Sequence, residues 1–443
     1  MNTLNSPNTS KTAGSLQKLP RRSFLKTSTT AALGTALPLS FPHVARAVNV
    51  KTDKLKLGLI GCGGRGSGAA QQALTADSNT ELWAMGDVFA DKIDLSQKSL
   101  EVQFKDKPGR VNVADDRKFI GLDAYQKVIN SGVDMVLLAA PGGFRPLHMR
   151  AAAEAGKHMF VEKPTGIDPT GVRTVREAAE IAKRKGLAVR QGFAMRYDLA
   201  YREAIKRVHD GAIGDVVAIY STRMSNRLSR FDGSRKPEWG DLEWQLRNWH
   251  LFLWLSGDWI MEVSVHSVDK ILWAMKNVPP VKCHASGARW QQTVGNVWDQ
   301  FDVTYYWENG TFAVLKTRYM DKCHNQHDDL IIGTKGRCYL RSPLAEITGA
   351  NPWKFSGPKD AMHQVEHDEL FADLRAGKIP NDGESMANST LAGIMGRMSA
   401  YTGKEVTWEM ALNSKLDTMP KNLAWDMKLD VPPFSEPGKT PFV

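Results

Sequence analysis

The sequence predicts an α/β chain: an N-terminal doubly wound parallel sheet, then a second α/β domain with a large, mainly antiparallel sheet. Three observations predict it. From Leu55 to about Arg196, short apolar runs alternate with helical stretches, the pattern of parallel strands covered by helices on both faces. The first run opens into Gly61-Cys62-Gly63-Gly64-Arg65-Gly66, a glycine-rich strand-to-helix turn. After about Asp215, apolar runs follow one another with little but turn residues between them, as in an antiparallel meander.

Taken in order, the first strands are expected at Leu57–Ile60, Glu81–Met85, Met135–Ala140, His158–Val161 and Ala188–Gly192. Helices are expected over Ser67–Leu74, Asp123–Ser131, Leu147–Ala155 and Thr170–Lys185. The second domain reads as strands at Val216–Thr222, Val281–Ala285, Gln300–Trp307, Thr311–Arg318, Leu330–Ile332 and Arg337–Leu340. Glu308-Asn309-Gly310 joins two of them, with Asn-Gly suited to positive φ in a hairpin. One long helix is expected from Asp258 to Lys276, and two more at His363–Ala376 and Glu384–Tyr401. The resulting organisation is a leader over 1–47, a nucleotide-binding domain over 52–197, a substrate and oligomerisation domain over 198–420 and an extended tail over 421–443.

The glycine loop has a mechanical reading. The first glycine makes the tight turn, the second lets the backbone approach a pyrophosphate, and the third lets helix and strand pack closely. The pyrophosphate then rests at a helix N-terminus, among free N–H groups. Asp87, at the end of the second strand, stands where an acid binds the ribose 2′-hydroxyl and repels a 2′-phosphate, which favours NAD over NADP. Cys62 reads as a small apolar filler within the loop.

Pro20-Arg21-Arg22-Ser23-Phe24-Leu25-Lys26 is followed by a weakly apolar stretch to Phe41 and by Ala45-Arg46-Ala47. This order resembles a twin-arginine (Tat) export signal cut after Ala47, although Pro20 stands where Ser or Thr is usual. It implies contact with the Tat machinery and a periplasmic or otherwise exported protein. The full chain carries +10, and removing the six cations of 1–47 leaves +4. So mild and scattered a charge excludes a nucleic-acid-binding face, and no stretch is long and apolar enough to anchor in a membrane. Four cysteines, Cys62, Cys283, Cys323 and Cys338, are too few for a disulfide framework. Cys323-His324-Asn325-Gln326-His327-Asp328-Asp329 lacks paired-cysteine spacing and reads as a polar loop, so no metal is assigned.

The glycine loop, Ala139-Ala140-Pro141 at a strand end, Gly156-Lys157-His158 leading into Glu162-Lys163-Pro164, and the helix carrying His266 together resemble the Gfo/Idh/MocA oxidoreductases across essentially the whole chain after the leader. Arg247-Asn248-Trp249, Ser256-Gly257-Asp258 and Glu366-His367-Asp368 resemble recurrent phrases of its Tat-exported, sugar-dehydrogenase-like branch. The resemblance implies a Rossmann domain and a C-terminal domain whose open sheet faces the nicotinamide and supports homo-oligomers. It also implies hydride exchange with a hydroxyl-bearing carbon of a sugar, sugar acid or cyclitol. For the cofactor it implies Gly61, Cys62, Gly63, Gly64, Arg65, Gly66, Asp87, Ala140, Pro141, His148, Glu162 and Lys163, with Pro141 shaping the nicotinamide pocket. Two positions depart from the family pattern: Gly142-Gly143-Phe144 replaces the usual Asn or His after Pro141, and Glu262 replaces the Asp four residues before the catalytic His.

Removing a hydride from a secondary alcohol requires that the hydroxyl proton leave too, and histidine titrates near neutrality. His266 is therefore expected to be the general base, Lys163 its partner on the hydroxyl, and Glu262 the group that orients the imidazole, being four residues away on one helical face. Whether His266 or Lys163 takes the proton is open at this point. Arg196, Tyr197, Arg247, Trp249, His250 and Trp254 form a candidate sugar-binding set, with Trp249 and Trp254 equally readable as core. Two other functions compete: an NAD-dependent glycosidase acting by transient oxidation and elimination, and a non-catalytic sensor. The grouping of Lys163, Glu262 and His266 argues against the sensor, and Trp259-Ile260-Met261-Glu262 lacks the tyrosine-and-histidine arrangement of the glycosidases.

Overall fold

The computed structural model describes residues 49–443, so the expected export signal lies outside the described residues. Six strands, β1 (Leu55–Ile60), β2 (Thr80–Asp87), β3 (Lys118–Ile120), β4 (Met135–Leu138), β5 (His158–Glu162) and β6 (Val189–Gly192), form one parallel sheet in the order β3-β2-β1-β4-β5-β6. The central strand β4 is apolar and buried at every position, as burial on both faces requires, whereas the edge strand β3 is only partly covered and β6 carries Arg190 and Gln191. Helices α1 (Gly64–Ala76), α2 (Ala90–Gln103), α3 (Ala124–Asn130), α4 (Arg145–Glu154) and α5 (Pro169–Arg184) are the crossovers. In α5, Asp168 caps the N-terminus by accepting from Gly171 N at 2.7 Å, and Val172, Val175, Ala179 and Ala182 turn inward at helical spacing. Helix α2 was not expected from its sequence, because only Ile93, Ser96 and Leu100 are buried and the apolar signal is thin.

After α6 (Leu199–His209) the chain builds nine further strands, with α7 (Asp241–Arg247) and α8 (Leu253–Ser256) following the first of them: β7 (Val216–Ser225), β8 (Lys282–Ala288), β9 (Gln300–Tyr306), β10 (Phe312–Tyr319), β11 (Gln326–Gly333), β12 (Gly336–Arg341), β13 (Leu344–Gly349), β14 (Trp353–Lys354) and β15 (Val406–Thr407). Their order is β14-β13-β12-β11-β7-β10-β9-β8-β15, antiparallel except where β7 runs parallel to β10. Strict alternation marks the half-buried strands: Phe301, Val303 and Tyr305 of β9 face in, and their neighbours are only partly covered. The α/β class and the two-sheet layout match the sequence reading. Helix α12 (Gly383–Thr402) is buried on nearly every side, and one core cluster joins Val136 and Val161 of the parallel sheet to Leu391 and Phe301.

Three local expectations are corrected. The helix expected over Asp258–Lys276 is broken into α9 (Trp259–Glu262) and α10 (Val265–Ala274). Val263 and Ser264 have weak helical preference, and the Ser264 hydroxyl is drawn into a hydrogen bond with the Thr317 hydroxyl of β10. Second, Cys323–Asp329 is not a loop throughout, since Gln326–Asp329 begins β11 and pairs with Ser221–Met224 of β7. Polar residues are stable there because the Asp329 carboxylate accepts from Ser221 Oγ and Lys270 Nζ. Third, in the Glu308-Asn309-Gly310 turn only Gly310 adopts positive φ, at +83°, and Gly310 N donates to Trp307 O at 3.1 Å.

Candidate functional site

A cleft of about 790 Å³ opens along the carboxyl ends of β1, β2, β4 and β5 and is closed on its far side by β7, β10 and the residues around α9. Its position follows from topology, because strand order reverses between β1 and β4 and leaves a crevice there.

In the dinucleotide half, each loop glycine has its own task. Gly61 lies at φ +92°, where a Cβ would approach Ala140 N to 2.5 Å, and a Cβ on Gly66 would come within 1.9 Å of Gly61 O. Gly63 and Gly64 have no atom within 4 Å of such a Cβ, so they leave open space above the start of α1. Glycines tight below and open above are what a pyrophosphate on a helix N-terminus needs, and the loop fits that group. Asp87 accepts from Cys62 N at 2.7 Å and Phe89 N at 3.0 Å, which ties its carboxylate to the loop while it lines the cleft. Burial raises its carboxyl, and the Cys62 and Phe89 hydrogen bonds oppose that rise. Cys62 is buried, with its thiol against Gly86 O, and does not line the cleft.

Ala140, Pro141, His148 and Glu162 line the same space. His148 stacks on Tyr125 with ring centroids 4.3 Å apart, and burial together with the Arg145 charge pushes it down to about 3, so the ring is neutral. Arg65 leaves the loop to pair with Glu162 and, at 2.9 Å, with Glu366 of α11 (Met362–Arg375). Burial alone would raise Glu162, but Arg65, Lys163 and Arg145 outweigh it and hold the carboxyl below its ordinary range. Gly142-Gly143 has a steric reason, since a Cβ on Gly143 would approach Trp254 O to 2.2 Å.

In the second half, Lys163 at the end of β5 reaches across to α9. Its ammonium donates to the Glu262 carbonyl at 2.6 Å and to Glu262 Oε1 at 3.0 Å. The helix break makes the first bond available: an unbroken helix would engage that carbonyl with His266 N. The expected pairing of Glu262 with His266 is therefore corrected. The carboxylate serves Lys163 and lies 3.9 Å from His250 Nε2, whereas His266 packs edge-on against Phe193. Burial raises Glu262, with Lys163 and Arg145 opposing. Burial, then the charges of Lys163 and Arg223, hold His266 well below its ordinary value, and burial, Lys163 and Arg230 do the same to His250. Both imidazoles are neutral.

The sugar-binding set divides. Arg247, Trp249 and His250 line the cleft. Arg196 does not: its guanidinium is fixed on Asp269 and Asn277. Tyr197 is buried with its hydroxyl accepting from Arg190, and Trp254 is core, donating from Nε1 to Gln245 Oε1 at 2.7 Å. Arg145, Arg223, Tyr319 and His363 line the cleft without having been expected there. The sequence held one signal for them, the polar alternation Ser221, Arg223, Ser225 at the end of an otherwise apolar strand. Among the described residues no group of three or more His, Cys, Asp or Glu could hold a metal ion, and no helix is long and apolar enough to cross a membrane.

A doubly wound sheet with its glycine loop at the switch point defines a dinucleotide-binding domain. Residues 55–193 match the model of the oxidoreductase family with an NAD-binding Rossmann fold, and residues 201–339 match that of the GFO/IDH/MocA C-terminal domain. The chain belongs to the Gfo/Idh/MocA family, and its cofactor is NAD. It is 25% identical over 253 residues to a glycosyl hydrolase family 109 protein of Shewanella pealeana, covering 53% of each chain. It is 26% identical over 211 residues to an inositol 2-dehydrogenase of Pseudomonas savastanoi pv. phaseolicola, covering 48% of this chain and 57% of that one. The scyllo-inositol dehydrogenase of Lactobacillus casei shares the fold, with a TM-score of 0.61 at 20% identity over 81% of this chain and 99% of the other.

Proposed function

We propose that this chain is an exported NAD-dependent oxidoreductase that exchanges a hydride between nicotinamide and a hydroxyl-bearing carbon of a sugar, sugar acid or cyclitol. The observation that carries this reading is Lys163 held by both the carbonyl and the carboxylate of Glu262, in one cleft with a neutral His266. Bound NAD supplies the hydride acceptor. Lys163 has one N–H left for the substrate oxygen, where it stabilises developing negative charge. His266, neutral and with Nδ1 buried without a partner, is the proton acceptor. Glu262 positions Lys163 and compensates its charge; Arg247, Trp249 and His250 face the substrate. Gly61, Gly63, Gly64, Gly66 and Asp87 hold the dinucleotide. The partly exposed Val217 and Tyr220 of β7 suit a self-association face.

The Tat-like leader supports loading of NAD before export and its retention through turnover. Loss of NAD from the purified protein on simple dilution would contradict retention. A second reading, an NAD-dependent glycosidase, is favoured by the match to the Shewanella protein. Absorbance at 340 nm during challenge with free sugars, cyclitols and aryl glycosides separates the two. A lasting rise with a free sugar or cyclitol supports the dehydrogenase. Aryl release without lasting reduction supports the glycosidase.

A further inference from the structure

The cleft is lined by seven Lys or Arg residues and three Asp or Glu residues. Most of the cations are committed elsewhere. Arg65, Lys163 and Arg247 are ion-paired, Arg145 donates to the Pro164 carbonyl, and Lys92 stands beside Asp87 in the dinucleotide half. Two remain, both on the substrate side. Arg223 comes from the inward face of β7, and Arg230 from the loop that follows. Among the described residues neither forms an ion pair with a carboxylate; Asp329, whose charge reaches Arg223, is paired with Lys270. The one side-chain hydrogen bond of Arg223 is with His327 Nδ1 at 3.0 Å, and its Nε is buried without any partner, whereas Arg230 is exposed and lies over the Phe231 ring.

The two guanidinium groups bear on the same place. Burial raises the Tyr319 hydroxyl to about 12, and the charges of Arg223 and Arg230 both oppose the rise. Tyr319 stands opposite Ser225 in the parallel pairing of β10 with β7, and Ser225 Oγ is also buried and unpartnered. Arg223 acts on His266 and Arg230 on His250, so this locus adjoins the proposed reacting groups. The buried, unpartnered Arg223 Nε and Ser225 Oγ are costly in a folded chain and mark where a ligand atom belongs.

We propose that Arg223 and Arg230 form a carboxylate-binding subsite in the part of the cleft that Ser225 and Tyr319 also line, so that the substrate is a sugar acid rather than a neutral sugar or cyclitol. The inference rests on the oxidoreductase reading and narrows its substrate class. A planar carboxylate accepts two parallel N–H bonds from a guanidinium, which a neutral hydroxymethyl group cannot.

The test uses the NAD-loaded protein with matched probes: D-glucuronate, D-galacturonate and D-gluconate against D-glucose, D-galactose and D-glucuronamide. Turnover is read at 340 nm and binding by titration calorimetry. The acids are expected to exceed their neutral partners about 10- to 100-fold in kcat/KM or in affinity, the range of a charge-assisted pair. Arg223→Gln and Arg230→Gln are expected to reduce that ratio at least about tenfold through KM or Kd, and Arg223→Lys to restore only part of it. Equal use or binding of acid and neutral partners by the unaltered protein overturns the proposal, as does a preference for D-glucose 6-phosphate over D-glucuronate. Selective binding of the acids without reduction of NAD keeps the subsite and fails the oxidoreductase reading alone.

Discussion

Replacing Glu262 by Gln separates what this residue does for catalysis from what it costs in stability. The substitution keeps the side-chain length and removes the charge facing Lys163 Nζ at 3.0 Å, where the two side chains are 16% and 12% exposed. One hydrogen bond between charged groups in such a setting contributes about 1.5–3 kcal/mol. Lys163 also keeps its 2.6 Å bond to the Glu262 carbonyl, which the substitution leaves in place. The ammonium therefore stays near its position, and kcat/KM is expected to fall about 10- to 100-fold rather than to vanish. Stability moves the other way. The folded carboxyl has a raised pKa, so it prefers its proton and opposes folding once ionised. That penalty is absent below the unfolded value of about 4.3, grows as pH rises toward the folded value, and stays constant above it. Glu262→Gln should raise the thermal midpoint at pH 7 and leave it nearly unchanged at pH 4. Unchanged activity together with a lower midpoint at pH 7 would refute both the positioning role and the sign of the stability effect.

His266→Gln should lower kcat by about 10²–10⁴-fold, the usual span for a lost general base, while the dissociation constant for NAD, followed by protein fluorescence, stays put; weakened NAD binding instead would mean that His266 serves the cofactor. Gly64→Ala should leave thermal stability intact, because its Cβ meets nothing within 4 Å, yet weaken NAD binding. Gly66→Ala should destabilise the fold itself, since its Cβ would lie 1.9 Å from Gly61 O. Equal melting of the two variants would contradict this division. Trp254→Phe removes the donor to Gln245 Oε1 in a buried cluster, and a loss of about 1–3 kcal/mol in denaturant unfolding is expected. Substrate selectivity should not change; a changed selectivity would return Trp254 to the substrate site.

The parallel sheet was legible because strands buried on both faces must be apolar throughout, and because the glycine loop has one mechanical use. Lys163, Glu262 and His266 were legible as a set. Their pairing was not, since helical spacing presumes an unbroken helix, and Ser264 is diverted by Thr317, a partner more than fifty residues away. Arg196 and Trp254 illustrate the converse. Chemistry suited to sugars is equally suited to closing a buried ion pair or filling a core, and only Asp269 and Gln245 reveal which is the case. Arg223 was marked only by the polar alternation at the end of β7, and which face that alternation occupies is settled by the register with β10.

The bond from Lys163 to the Glu262 carbonyl has a consequence for substitutions at this position. A main-chain oxygen is the same whatever side chain the residue carries, so the ammonium's location is set by the path of the backbone at the break between α9 and α10. A shortened side chain at this position would lose the Oε1 contact and keep only the carbonyl bond. The interruption of the helix, together with the acid it exposes, thus fixes where the ammonium sits.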